Sequence, residues 1–426
     1  MAKAMYPAKV WLLAAFVGRP YAAQPGRGGQ EVQPVCDPRQ AASRNAAASQ
    51  EGAAIGPQEV PDRLRVELDQ TEMHRGHELT EPPKRLGHAM LRLACLCLVL
   101  GASGALAGAA DDCRQTKDLD LSIRACSELI RQNPTDADAY AWRGRAYLSK
   151  LDSRLASADC TKAVELNPRD AEAYNCRGLA DVLLNILTGN YDRAIADLTR
   201  ATEINPEFAD AYRNRGFAHF RKHAWEAAIA DYTKVIELNP RDAEAYSNRG
   251  AAHAHKGEHD LAIADLSKAI EIKPRSFDAY MSRGAAYYAK GNSVSAIADY
   301  TRAIVLRPGY GEAYIGRGLV YESKGQYQSA IADYSNAIEL YSRDAEALSH
   351  RARAYLKAGK PAQGLADVQR SLEIRRDHPG TLAIRASIFE ALGRREEAIA
   401  DFRGALKLDP TLNLSREALK RLGVAP

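Results

Sequence analysis

The sequence is poor in the marks of most function classes. Its formal net charge is only +4 over 426 residues, and six Lys or Arg never occur in a row. No excess of one charge sign points to nucleic acid or another polyanion, and no basic tail is present. There is no Gly-rich phosphate loop, no Gly-x-Ser-x-Gly and no His-Glu-x-x-His, so the common phosphate, serine-nucleophile and zinc-peptidase signatures are missing. Nothing in the chain reads as an enzyme, and no cofactor is expected. Long apolar runs are confined to the first 110 residues, and cysteine is scarce at seven.

The two apolar runs are Val10–Val17, after Lys3 and Lys9, and Leu93–Ala110, after Lys84, Arg85 and Arg92. The second has a basic start, an apolar centre and an Ala-x-Ala end at Ala105–Ala107. It reads as a cleaved secretory signal over residues 90–109, with Met90 rather than Met1 as its natural start. The alternative is a membrane anchor, since 18 uncharged residues are just long enough to span a bilayer. Residues 1–89, rich in Ala, Gln, Gly and Pro, read as a disordered or mis-started extension. The expected location is periplasmic or secreted, with the membrane-anchored form as alternative. Four cysteines follow the signal: Cys113, Cys126, Cys160 and Cys176. An exported chain allows them two disulfides, in three connectivities; a cytoplasmic one would keep them as thiols.

What the chain has is repetition. Units begin at Ala137, Ala171, Ala209, Ala243, Phe277, Gly311, Ala345 and Pro379. Seven are 34 residues long and the second is 38. Position 4 is commonly Tyr, 7 is Arg, 8 is commonly Gly, 20 is commonly Ala, 24 is often aromatic or Leu, and 32 is commonly Pro. Positions 4, 8 and 11 recur at helical spacing, as do 20, 24 and 27, so each unit holds two amphipathic helices. Gly257, Gly291, Gly325 and Gly393 close the first helix, prolines such as Pro240 and Pro274 stop the second, and Asp170 and Asp242 stand as N-caps. The small residues at 8 and 20 let the two backbones approach.

This pattern resembles the tetratricopeptide repeat (TPR) over residues 137–412. The resemblance implies an all-α, right-handed TPR solenoid of eight full helix-turn-helix repeats. Residues 110–136 read as a degenerate first unit, and 413–426 as a capping helix. In that register Cys113 falls at position 11 and Cys126 at 24, on facing helices, which favours a Cys113–Cys126 disulfide. The resemblance implies a non-enzymatic scaffold or assembly factor that binds a peptide or helix of another protein on its concave face. Such a chain has no nucleic-acid partner, and meets a membrane only if Leu93–Ala110 stays uncleaved. The alternatives are a membrane-tethered organiser and, behind it, a metal-binding or enzyme-accessory protein.

Two features depart from the family. Position 7 is Arg and position 23 Asp in all eight units, as in Arg249/Asp265 and Arg283/Asp299. Opposite charges on facing surfaces pair, because an unpaired buried charge costs several kcal/mol; a ladder of structural ion pairs is expected. The Lys and Asn of the chaperone-tail clamp are missing. Asn at position 6, which in some relatives holds peptide backbone, occurs only as Asn214 and Asn248.

The inner face, read as the side of each first helix turned from the second, carries Leu148, Leu179, Val182, Phe217, Phe220, Met281, Tyr288, Ile315 and Leu319, with Arg213 among them. With Asn214 and Asn248 these are the expected partner-binding residues. Four extra residues in unit two read as one more helical turn, which would project Leu183, Leu184 and Leu187. Position 2 is acidic in seven units, read as helix-start charge. His219, His223, His253, His255 and His259 include i,i+4 pairs suited to zinc, yet no completing Cys or Glu is evident. They read as core or surface histidines, with no metal site expected.

Overall fold

The computed structural model describes residues 108–425, which are helical throughout with no strand among them. The expectations for residues 1–107, the signal or anchor among them, lie outside the described residues. Residues 108–114 are helical and precede α1 (Leu119–Gln132). Eight hairpins follow: α2 (Ala137–Ser149) and α3 (Ser153–Leu166), α4 (Ala171–Leu184) and α5 (Asp192–Ile204), α6 (Ala209–Arg221) and α7 (Trp225–Leu238), α8 (Ala243–Lys256) and α9 (His259–Ile272). Then come α10 (Phe277–Ala289) and α11 (Ser293–Leu306), α12 (Gly311–Ser323) and α13 (Tyr327–Leu340), α14 (Ala345–Lys357) and α15 (Pro361–Ile374), α16 (Pro379–Ala391) and α17 (Arg395–Leu408). A final helix, α18 (Asn413–Arg421), lies against α17. Each helix packs on its chain neighbours, and successive first helices also touch, the arrangement of a solenoid.

Local chemistry sets the helix ends. Asp170 accepts from the Glu172 N–H, and Asp242 from the Glu244 and Ala245 N–H groups. Position 15 of every unit has positive φ. Glycine holds it in six units, including Gly189 and Gly359, while Leu151 (φ 63°) and His223 (φ 62°) hold it in units one and three. The insertion in unit two does not lengthen its helix as expected. α4 ends at Leu184, and residues 185–188 form a turn closed by the Gly189 N–H on the Asn185 carbonyl. Leu183 folds back against the core, Leu184 is 44% exposed and Leu187 is 96% exposed.

The hairpins close because position 8 is small and position 24 fills the space. A Cβ on Gly318 would lie 2.7 Å from the Tyr334 ring, and one on Gly250 2.8 Å from Leu266 Cγ. Unit seven reverses the arrangement, with Ala352 at position 8 and Gly364 at 20. A Cβ on Gly364 would meet the Ala352 carbonyl at 2.8 Å.

Candidate functional site

The repeated charges are brought together in all eight units. Arg at 7 clamps Asp at 23 of its own unit through two guanidinium nitrogens, at 2.6–3.1 Å in every copy. Arg249 reaches Asp265 at 2.8 Å twice, and Arg283 reaches Asp299 likewise. In six units a further nitrogen donates to a hydroxyl on the preceding second helix, as Arg249 does to Thr233 and Arg283 to Ser267. The hydrogen bond to Asp265 raises the Arg249 pKa, so the guanidinium stays charged. Each arginine thus ties its own hairpin shut, and six of the eight also hook the helix before it. Its bidentate contact leaves little capacity for an outside ligand.

The inner face is not the apolar groove expected from periodicity. Leu148, Leu179, Val182, Phe217, Phe220, Met281, Ile315 and Leu319 are all at most 9% exposed. The reason is the neighbouring first helix, which covers what the unit's own second helix leaves open. Position 12 of one unit packs near position 9 of the next: Leu148 clusters with Leu179, and Val182 with Phe217. The same joint is an ion pair later on, Glu322 with Arg353 at 2.7 Å. Tyr288 is only half-buried, against the core cluster of unit five.

What remains on this face is polar. Glu172 lies 3.5 Å from Arg145, Asp278 lies 4.0 Å from Arg307, and Glu346 lies 3.6 Å from His350. Burial raises the pKa of Glu172 and of Asp278. Glu312 is raised by burial and further by Asp344 and Glu346.

Three of the expected residues lie in units three and four: Arg213 and Asn214 on α6, and Asn248 on α8. Arg213 bonds Asp210 and, at 2.6 Å, Asp242. Asn214 donates to Asn175 at 2.9 Å in the interior. Asn248 is 8% exposed and its buried Nδ2 has no hydrogen-bond partner. Arg213 Nε and the hydroxyl of Tyr232, a residue at 0% exposure, share that condition. Residue 24 of one unit meets residue 6 of the next at three other junctions, one of them the Cys160–Cys176 pair. Tyr334 stacks on His350 with centroids 5.5 Å apart, and a Cβ on Gly316 would lie 2.7 Å from the Tyr300 ring. Tyr232 and Asn248 hold these two positions. Asn175 and Tyr232 were missed from sequence; a polar residue next to position 6, and the polar tip of the recurrent Tyr at 24, were the available signals.

The cysteines pair as Cys113–Cys126, with Cα atoms 4.7 Å apart, and Cys160–Cys176, with Cα atoms 5.9 Å apart. The first joins α1 to the segment before it; the second joins α3 to α4 across a unit boundary. The histidines do not converge. His253 bonds Glu258 at 2.6 Å, His255 stacks on Trp225 at 4.8 Å, His223 meets Trp225 edge-on, and His219 lies 3.8 Å from Asp231. His259 Nδ1 is buried without a partner. No group of three or more His, Cys, Asp or Glu is placed to hold a metal among the described residues, and none of the described helices is long and apolar enough to cross a membrane.

Stacked hairpins with a shared charge code define an all-helical repeat protein, and the chain belongs to the tetratricopeptide repeat family. TPR repeat models match residues 186–223, 224–257 and 254–291, and tetratricopeptide repeat models match 137–170, 311–344 and 350–413. Among solved structures, the APC/C hetero-tetramer Cut9-Hcn1 is similar at 18% identity and a TM-score of 0.49, over 71% of this chain and 59% of that one. YrrB, a TPR protein with an unusual peptide-binding site, is similar at 24% identity and a TM-score of 0.38, over 44% of this chain and 97% of that one. MamA is similar at 27% identity and a TM-score of 0.37, over 40% and 94%. No curated protein sequence matches. The tetratricopeptide repeat is generally a non-enzymatic scaffold for protein interaction, and its repeats make this chain a protein-interaction scaffold.

Proposed function

We propose that the protein captures an extended segment of another protein along its inner face, with the main contact at the junction of units three and four. The buried Asn248 amide, without a partner in units where Tyr232 and Arg213 also leave buried polar atoms unpaired, carries this reading. The two ends of a carboxamide exchange by rotation. With Oδ1 turned inward to accept from buried donors, Nδ2 turns to the groove and donates to a peptide carbonyl. Contact of this kind holds backbone without reading much sequence. A partner bound there supplies hydrogen bonds the free protein leaves unmade, and each is worth about 1 kcal/mol or more. Peptides selected from a random display library against the wild-type protein test this by calorimetry on N248A. About a ten-fold loss of affinity is expected; unchanged affinity removes the site.

The chain is read as exported, to the periplasm or beyond. The basic, apolar and Ala-x-Ala order of residues 84–107 supports this, as do two cysteine pairs within bonding distance. N-terminal sequencing of the mature protein decides between cleavage near Ala107 and a retained, membrane-tethering segment.

A further inference from the structure

The last unit is capped differently from the others. The first helices α2, α4, α8 and α14 are capped by Asp136, Asp170, Asp242 and Asp344, and α10 by Ser276. α16 is capped by His378. Its Nδ1 accepts the Thr381 backbone N–H at 3.2 Å and lies 2.8 Å from Thr381 Oγ1. Thr381 Oγ1 in turn lies 3.3 Å from Ser349 Oγ on α14. Thr381 is 3% exposed and Ser349 8%, while His378 is half-buried, so the cap and the contact between units seven and eight form one hydrogen-bonded chain that runs from the surface inward.

An aspartate cap stays an acceptor down to about pH 4, and a serine does not titrate. An imidazole nitrogen accepts only while it carries no proton. The groups facing His378 are Arg375, on the segment leading into it, and Glu346 and His350 on α14. Two of these three resist a second positive charge when His350 is protonated, and Arg375 does so always.

We infer that His378 is an acid-sensitive latch on α16: while neutral it caps the first turn, whose Thr381 also meets Ser349 of unit seven, and on protonation that turn loosens. Protonation removes the side-chain acceptor, leaves the Thr381 N–H only the His378 carbonyl at 3.1 Å, and sets a cation against Arg375. Burial first, and Arg375 second, lower the His378 pKa in the folded protein, against the pull of Glu346. The sign follows from linkage. The stabilisation is complete above the unfolded value of about 6.5 and is lost as pH falls from there through the lower folded value. The other capped first helices, with Asp or Ser, lack this response.

Hydrogen exchange on the full chain at pH 7.5 and 5.5, corrected for intrinsic exchange rates, tests the latch. The first turn of α16, residues 381–384, is expected to lose about five-fold protection at the lower pH, the equilibrium equivalent of one lost cap. The first turn of α10 keeps its protection. H378D, which stays ionised, and H378S, copied from the Ser276 cap, both abolish the difference. Equal wild-type protection at the two pH values, or the same acid loss in H378D or H378S, overturns the inference.

Discussion

Arg283 makes several contacts at once. It holds Asp299 by two bonds, donates to Ser267 on the previous hairpin, and lies with Cζ 5.7 Å from the Tyr280 ring. Removing its carboxylate leaves a largely buried guanidinium uncompensated. D299N is expected to lower stability by about 3 kcal/mol in urea titration, and a change under 0.5 kcal/mol would show the ladder to be ornamental. The Arg–Asp pairing was legible because both residues recur in every copy at fixed spacing. The bond to the preceding hydroxyl was not, since it joins residues whose proximity depends on how two hairpins stack. A second prediction concerns Leu151 and His223, the two non-glycine residues with left-handed backbone at position 15. L151G and H223G relieve a Cβ clash of about 1–2 kcal/mol, offset in part by glycine's chain entropy. Each variant should be more stable by about 1 kcal/mol in the same titration, whereas an unchanged midpoint would mean the turn carries no strain.

At the level of the helix pair, closeness is decided at position 8. A methyl on Gly318 would sit 2.7 Å from the Tyr334 ring, whereas one on Gly284 would sit 3.3 Å from the Tyr300 ring. Alanine gains about 1 kcal/mol over glycine in a helix, and overpacking costs about 1–3 kcal/mol. G284A is therefore expected to be near neutral and G318A to lower the melting temperature, with a reversed order counting against the packing account. Small residues at 8 and 20 were visible from sequence. Unit seven shows why the pair matters more than either member: Gly364 at 20 stands opposite Ala352 at 8. The insertion in unit two was misread because periodicity alone cannot tell an added helical turn from a turn that leaves the helix. Asn185 ends α4, and the four residues project Leu187 into solvent.

Across the whole array, stability is shared between neighbours. The apolar clusters straddle unit boundaries: Leu148 with Leu179, and Val182 with Phe217. A single unit, residues 137–170, is expected to show no cooperative melting by circular dichroism, while the four units over residues 209–344 melt as one transition. Cooperative melting of the single unit would contradict shared stacking. The same sharing explains which part of the candidate site was readable. The amino-acid order alone determined the eight hairpins, their ends and their charge ladder, because caps, helical periodicity and paired residues act within one unit. Only the tertiary structure decided which side chains the stacking covers. The apolar residues assigned to the inner face vanish between successive first helices, and buried polar atoms of Arg213, Tyr232 and Asn248 are left at a junction. Exposure depends on what covers a residue, and here the cover comes from a neighbouring repeat, about 34 residues away in the chain.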